Sequence, residues 1–413
     1  MAPKLLQFGA GNIGRSFIGQ LFSAAGYEVV FADVDARLIA ALNASRGYTV
    51  AIRDRQSHDL AVRNVRAISV LDADAVTREL ADADICGTAV GPQALPKLFP
   101  VLAQALAVRR ARGGGPLDFI LCENLRDAAR IVREGLRPLL PADFPLESYV
   151  GLAETSIGKM VPLIPEAQRS RDPLTVYAEA YNTLILDRRA LLGGVPPVPG
   201  LSPQDNMKAY VDRKAFIHNL GHAALGYFAF LVAPEKVFTY EAVEDVELRA
   251  WTHRAMEEAA VWLLRTYPQE FSAASLAAHI EDLLTRFGNR SLGDTIHRVG
   301  RDLARKLSAE DRVAGALRAC AAAGLPHGWI ATALAAGLFF QPPDDAGRPF
   351  APDLAIVQRA AGGPENFLQT VSGLTGALLA DVAGRYRRIQ EELRRGGVLR
   401  RAAFAALAAL TPT

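Results

Sequence analysis

A lysine, an asparagine and a histidine stand close together in the run Arg213-Lys214-Ala215-Phe216-Ile217-His218-Asn219-Leu220-Gly221-His222, inside an apolar pattern that reads as helix. At about 100° per residue, Asn219 and His222 share a face, and Lys214 lies about 80° from His222, within reach of a long side chain. Oxidising a secondary alcohol without a metal requires a base for the hydroxyl proton and donors that hold the alkoxide-like oxygen. Lys214, its pKa lowered by desolvation, fits the base, and Asn219 and His222 would orient the oxygen. Two other readings compete. His218 and His222 have the i,i+4 spacing of a helical metal pair, but the Glu of HExxH is missing and no cysteine is near, so no metal is expected. The plainer alternative is a buried Asn and His joining two helices, with the lysine exposed.

The redox partner for such chemistry is suggested near the N-terminus. Leu5-Leu6-Gln7-Phe8-Gly9-Ala10-Gly11-Asn12-Ile13-Gly14 reads as strand, tight turn and helix start, and Glu28-Val29-Val30-Phe31-Ala32-Asp33 as the next strand. Gly9 permits the turn, Gly11 lets a pyrophosphate approach the backbone, and Gly14 lets the helix pack on the strand. The helix N-terminus adds free N–H groups and a positive dipole end. Phe8, Gly9, Ala10, Gly11, Asn12, Ile13 and Gly14 therefore form a candidate dinucleotide cradle. Asp33 follows Gly14 by about the 20-residue interval expected of the acid that binds a ribose 2′-hydroxyl. A carboxylate there repels a 2′-phosphate, so NAD is expected over NADP, although nearby Arg37 weakens that preference. The plainer reading is a doubly wound sheet with an ordinary glycine turn.

The elements that must carry these residues follow in order. Tyr48-Thr49-Val50-Ala51-Ile52 suggests a short β excursion. Asp84-Ile85-Cys86-Gly87-Thr88-Ala89-Val90-Gly91-Pro92 reads as a buried strand whose carboxyl end, Val90, borders the cofactor. Leu117–Cys122 is another strand, ending at Glu123-Asn124, where Asn124 is either a helix cap or a substrate or nicotinamide contact. Region 145–200 extends the sheet. Pro196-Pro197-Val198-Pro199-Gly200 breaks the pattern and suggests a boundary: 1–199 as an α/β domain, 200–385 as a helical domain, and 386–413 as an Arg-rich helical tail. Helices are predicted over 206–231, 241–266, 272–286, 309–323, 327–340 and 365–395, and the arginines from Arg385 to Arg401 as a solvated face.

Composition narrows the function classes. The 413 residues carry 46 Lys and Arg against 44 Asp and Glu, a net charge of +2, which favours neither nucleic acid nor a membrane surface as partner. Three dispersed cysteines, Cys86, Cys122 and Cys320, form no disulfide framework and suit a reducing cytoplasm. No targeting segment or membrane span is read from the sequence.

The spacing K-x4-N-x2-H at Lys214, Asn219 and His222, together with Phe8–Arg15, Phe31–Val34, Cys122-Glu123-Asn124, Asp205-Asn206, Val299-Gly300-Arg301, Arg305–Ser308 and Gly324–His327, resembles the long-chain polyol and mannitol dehydrogenase family. Within it the chain is most similar to the mannitol-1-phosphate 5-dehydrogenases. The resemblance implies an N-terminal Rossmann-type domain, a mostly α-helical C-terminal domain, NAD, Lys214 as base, and Asn124, Asn219 and His222 on the reacting oxygen, without metal. The implied substrate is a sugar alcohol or ketose, phosphorylated. A related polyol or hexonate dehydrogenase is the alternative, and a non-catalytic nucleotide-sensing protein is the alternative of another class. Two stretches depart from the family pattern. Gly158-Lys159-Met160 stands where an Asp-Arg pair is usual, and Tyr181-Asn182-Thr183-Leu184 where aromatic-x-Glu-Trp is. Losing a carboxylate favours an anionic substrate. The basic residues able to hold it are Arg298, Arg301, Arg305, Lys306 and Arg312, with Arg298, Arg301 and Arg305 at helical spacing; the same residues also suit a solvated helix face.

Overall fold

Strand β1 (Lys4–Phe8) sends Leu5 and Gln7 to one side and Leu6 and Phe8 to the other, and all four are fully buried. A strand buried on both faces belongs in the middle of a covered parallel sheet. In the computed structural model, which describes residues 2–162, 171–344 and 346–410, β1 pairs in parallel with β2 (Glu28–Asp33) and β6 (Ile85–Thr88). The other strands are β3 (Gly47–Ile52), β4 (His58–Arg63), β5 (Val65–Ser69), β7 (Leu117–Leu121), β8 (Val150–Ser156), β9 (Thr175–Ala178), β10 (Leu184–Asp187) and β11 (Leu201–Gln204). Six strands run parallel in the order β5-β2-β1-β6-β7-β8. Strand order reverses between β1 and β6, the switch point at which open α/β sheets bind ligands.

Two apolar layers cover the sheet. Leu6, Phe8, Val30, Cys86 and Phe119 face the helices Ala73–Ala81, Leu95–Ala111 and Ala128–Leu136. Leu5, Val29, Phe31 and Ile120 face Phe17, Phe22, Leu38 and Leu42, where the expected β excursion also packs. That excursion is the β3–β4 hairpin, and β9, far along the chain, pairs with β3 to make a second sheet of three strands. Region 145–200 extends the main sheet as expected, through β8 and the antiparallel β10.

The chain divides at Val211/Asp212 into two compact units. The first continues past the proline-rich segment because β11 follows that segment and pairs with β10. The second is helical. The continuous helix Met207–Val232 starts in the first unit and carries into the second, where its Leu220–Val232 part is contacted by Val246–Thr266, Ile296–Gly300 and Gly328–Gly337. Its length and mean hydropathy of 1.3 would suit a membrane span, but 83% of that window is buried in protein. Three expected helices are shorter or divided. Asp245 splits 241–266, since its carboxylate caps Val246–Thr266 through the Glu247 and Leu248 N–H groups. The 309–323 helix begins only at Ala314. Gly373 and Gly376, both at positive φ, divide 365–395 into Glu365–Thr370 and Gly376–Gly396.

The Arg-rich tail is no separate element. Helix Gly376–Gly396 runs through it, and helix Arg401–Ala408 packs back on Gly328–Gly337. Arg387, Arg388, Arg394, Arg395 and Arg400 are exposed as expected. Arg385 is instead 1% exposed, paired with Asp381 and donating to the Leu407 and Leu410 carbonyls. The last three residues lie outside the described ones.

Candidate active site

The glycine turn has the geometry its sequence predicts. Gly9 has φ +91°, and a Cβ there would lie 2.5 Å from the Ala89 carbonyl oxygen; one on Gly14 would lie 2.0 Å from that of Gly9. Both glycines are required for packing alone. Gly11 differs: an added Cβ meets nothing within 4 Å, and Gly11 and Asn12 are exposed where the helix begins. The space over Gly11, open among the described residues and lying at the helix N-terminus, fits a pyrophosphate. Asp33 closes the turn: its Oδ2 accepts the Ala10 N–H at 2.6 Å and its Oδ1 the Val34 and Asp35 N–H groups at 2.7 and 3.0 Å. Behind the turn, buried Arg15 donates to the Ala10 and Pro173 carbonyls, both at 2.6 Å. The glycine fingerprint alone does not reveal that anchoring role.

Val90 lies at the end of β6 against this turn, its Cγ1 3.1 Å from where a Gly9 Cβ would be. Asn124 is exposed just beyond β7. It does not cap the following helix, whose N-cap is Asp127, so the capping alternative is removed. The two stretches that depart from the family pattern meet: Lys159 Nζ donates to Asn182 Oδ1 at 3.1 Å, and Tyr181 flanks Gly158. The two departures are thus in contact with each other.

In the second unit, Lys214–Asn219 forms a π-helical turn within the long helix, and the Leu220 N–H reaches the Ala215 carbonyl five residues back. In an α-helix Lys214 and Asn219 would point about 140° apart; the wider turn brings residues five apart nearly over one another. Lys214, Asn219 and His222 are all partly buried. Burial, and then the charge of Arg312, lowers the Lys214 pKa to about 8. The same helix holds His222 against Phe287, the rings stacked at 3.8 Å. Burial first, then Arg298, Lys306, Arg312 and Arg286, depresses the His222 pKa well below its ordinary value, leaving a neutral imidazole. Its Nε2 is buried without a hydrogen-bond partner among the described residues. A substrate oxygen would satisfy it. The His218 ring is 5.2 Å from that of His222, and no cluster of three metal-ligating groups occurs among the described residues.

The basic residues do not form the helical row that their spacing suggests. Helix Ile296–Gly300 ends before Arg301, and Asp302, at φ +77°, starts another, Leu303–Lys306, so Arg298, Arg301 and Arg305 share no helix face. Arg301 is exposed over Phe350, and Arg305 pairs with Asp302 at 2.6 Å and Asp311 at 3.5 Å. Arg298 pairs with buried Asp294, and Arg312 with Asp311 at 2.7 Å. Lys306, only 5% exposed, donates to the Arg298 and Val299 carbonyls. Arg286 belongs to this group, and sequence spacing had not pointed to it; it is brought in by the helix Ala273–Phe287 that also supplies Phe287.

Residues 3–200 match the mannitol dehydrogenase Rossmann domain and residues 206–376 the mannitol dehydrogenase C-terminal domain. The fold is similar to that of Pseudomonas fluorescens mannitol 2-dehydrogenase, solved as a ternary complex with NAD and D-mannitol. That match has a TM-score of 0.76 and 17% identity over 98% of this chain and 94% of the other. A D-sorbitol dehydrogenase in substrate-free form superposes with a TM-score of 0.79, at 17% identity, over 98% and 95%.

Proposed function

The chain belongs to the mannitol dehydrogenase family of oxidoreductases, and we propose that it interconverts a sugar alcohol phosphate and a ketose phosphate with NAD, mannitol 1-phosphate and fructose 6-phosphate being the leading pair. The first unit would hold NAD, with the pyrophosphate over Gly11 and Asn12, a ribose at Asp33 and Val90 beside the ring; Asn124 is its proposed contributor to substrate binding. NAD, when bound, accepts the hydride that leaves the carbinol carbon. Lys214 in its neutral form takes the hydroxyl proton, while Asn219 and His222 hydrogen-bond the same oxygen as it becomes a carbonyl. Ketose reduction runs the same transfers backwards, with Lys214 as ammonium returning the proton. The orphaned His222 Nε2 is the observation that carries this reading.

Support for an anionic substrate lies in unbalanced charge. Arg298, Arg312 and Arg286 each have a carboxylate partner in Asp294, Asp311 and Asp282, whereas Lys306 has no ion-paired acid among the described residues. Burial and then Arg312 and Arg305 push the Lys306 pKa well below its usual value, and an arriving phosphate would favour its charged form. Arg301 and Arg305 do not belong to this group: Arg301 is exposed over Phe350 and Arg305 pairs with Asp302 and Asp311. A hexonate carboxylate satisfies the same chemistry and is the second reading. The three cysteines are buried free thiols, in keeping with the cytoplasmic location we propose.

NADH consumption by the purified protein, with EDTA present, against fructose 6-phosphate, free fructose, fructuronate and tagaturonate tests this directly. Fructose 6-phosphate is expected to react fastest. Faster turnover of free fructose removes the phosphate assignment, a preference for a keto acid moves the protein to the hexonate activity, and NADH binding without any turnover leaves a nucleotide sensor.

A further inference from the structure

We infer that Glu123 is a positioning residue that sets the nicotinamide-side rim of the dinucleotide crevice; this rests on the NAD reading above. The ends of the central strands are stapled in sequence: the Gly9 N–H donates to Ala32, the Ala89 N–H to Phe8 and the Cys122 N–H to Thr88, at 2.9, 2.8 and 2.8 Å. Immediately after the last staple the chain presents Glu123, 4% exposed, and its side chain turns back to β6. Oε1 accepts the Val90 N–H at 3.0 Å and Oε2 the Gly91 N–H at 2.8 Å. Gly91 has φ +89°, and its carbonyl accepts the Ala94 and Leu95 N–H groups that begin the helix Leu95–Ala111.

Two consequences follow. Adjacent N–H groups at a loop-to-helix junction are a natural anion seat. A buried carboxylate fills this one, leaving the open seat over Gly11 to take the pyrophosphate. The same carboxylate also ties Val90, which abuts the Gly9 turn, to the residue preceding Asn124. The turn that borders the nicotinamide and the asparagine proposed to bind substrate are thus held by one side chain. Glutamine cannot reproduce the arrangement, because its amide offers one acceptor and turns a donor toward the second N–H.

The test compares Glu123→Gln and Glu123→Asp with the wild-type protein, measuring the Kd for NADH by fluorescence titration, kcat against pH, and thermal stability. Glu123→Gln is expected to raise the NADH Kd about tenfold, the equivalent of one lost charge-assisted hydrogen bond. Its kcat should fall by roughly 10²-fold, as for a reacting group displaced by about 1 Å. The pH midpoint set by Lys214 should stay in place. Glu123→Asp keeps the charge and should lie between the two, and it carries the test if the glutamine variant does not fold. An unchanged NADH Kd in the folded variants, with only a lower melting temperature, would overturn the inference. Wild-type protein that binds NADH but reduces no ketose instead overturns the catalytic reading, and the Kd comparison still decides the role of Glu123.

Discussion

As the proposed base, Lys214 would serve both directions only if its proton is loosely held, and the two influences that loosen it can be separated. Burial is the larger and belongs to the whole helix; the charge of Arg312 is the smaller and can be removed. With a pKa of about 8, alcohol oxidation, which needs the free amine, should rise with pH through that value, and ketose reduction, which needs the ammonium, should fall. Replacing Arg312 by glutamine removes a nearby positive charge, so both midpoints should move to higher pH. Profiles of kcat/KM in each direction check this, and a midpoint that stays put in the variant would mean that burial alone sets the pKa. Lys214→Ala should lower turnover by about 10²–10⁴-fold while NADH affinity changes little. The spacing of Lys214, Asn219 and His222 along one helix was legible, but the π turn that swings Lys214 toward Asn219 was not. Arg312 was read only as a candidate for holding the anion, and its action on Lys214 was not legible, nor was Arg286 at all, since a charge acting through space leaves no periodic trace in the chain.

At the scale of elements, the glycine turn separates packing from binding. Gly14→Ala places a Cβ 2.0 Å from the Gly9 carbonyl oxygen, whereas Gly11→Ala meets no atom of the described residues within 4 Å. Gly14→Ala should therefore lower both the melting temperature and NADH affinity. Gly11→Ala should melt like the wild type yet bind NADH at least about tenfold more weakly, its methyl group occupying pyrophosphate space. Normal NADH affinity in Gly11→Ala would place the pyrophosphate elsewhere. The turn was readable because its demands are local: φ at Gly9 and close approach at Gly14. The same holds for the central helix, expected over 206–231 and found over Met207–Val232. What escaped the sequence depends on non-local partners or on subtle backbone register. β9 reaches back to β3 across more than a hundred residues. The π turn at Lys214–Asn219 changes hydrogen bonding without changing the apolar pattern, and positive φ at Asp302 breaks a row of arginines that looks helical when written out. Helix Ala351–Ala361 also went unassigned, being short and rich in alanine, and Arg401–Ala408 was read only as part of a helical tail.

For the molecule as a whole, the C-terminal arginines turn from an isolated tail into part of the second unit's stability. Arg401 grips Asp245 with two nitrogens, at 2.8 and 2.6 Å, and Glu247 at 2.7 Å, so it fastens the last helix to the residue that caps Val246–Thr266. The Arg401 hydrogen bond is the largest influence on the Asp245 carboxyl, whose pKa is lowered from 3.8 to about 2. A depressed carboxyl pKa stabilises the fold above its unfolded value, and that contribution is lost as pH falls through the folded value. Because the pair is partly exposed to solvent, the contribution is about 1 kcal/mol after screening. Arg401→Ala should therefore lower the melting temperature of the full chain at pH 7 by about 2–4 °C, the range for 1 kcal/mol in a unit of this size. Asp245 keeps its caps to Glu247 and Leu248 in the variant, so the helix it starts should persist. The gap between variant and wild type should close as pH is lowered from about 4 towards 2, where Asp245 takes up its proton in both. Melting curves across that range decide the matter: a gap that stays constant down to pH 2 would mean that Arg401 holds the helix by packing its stem rather than by its charge.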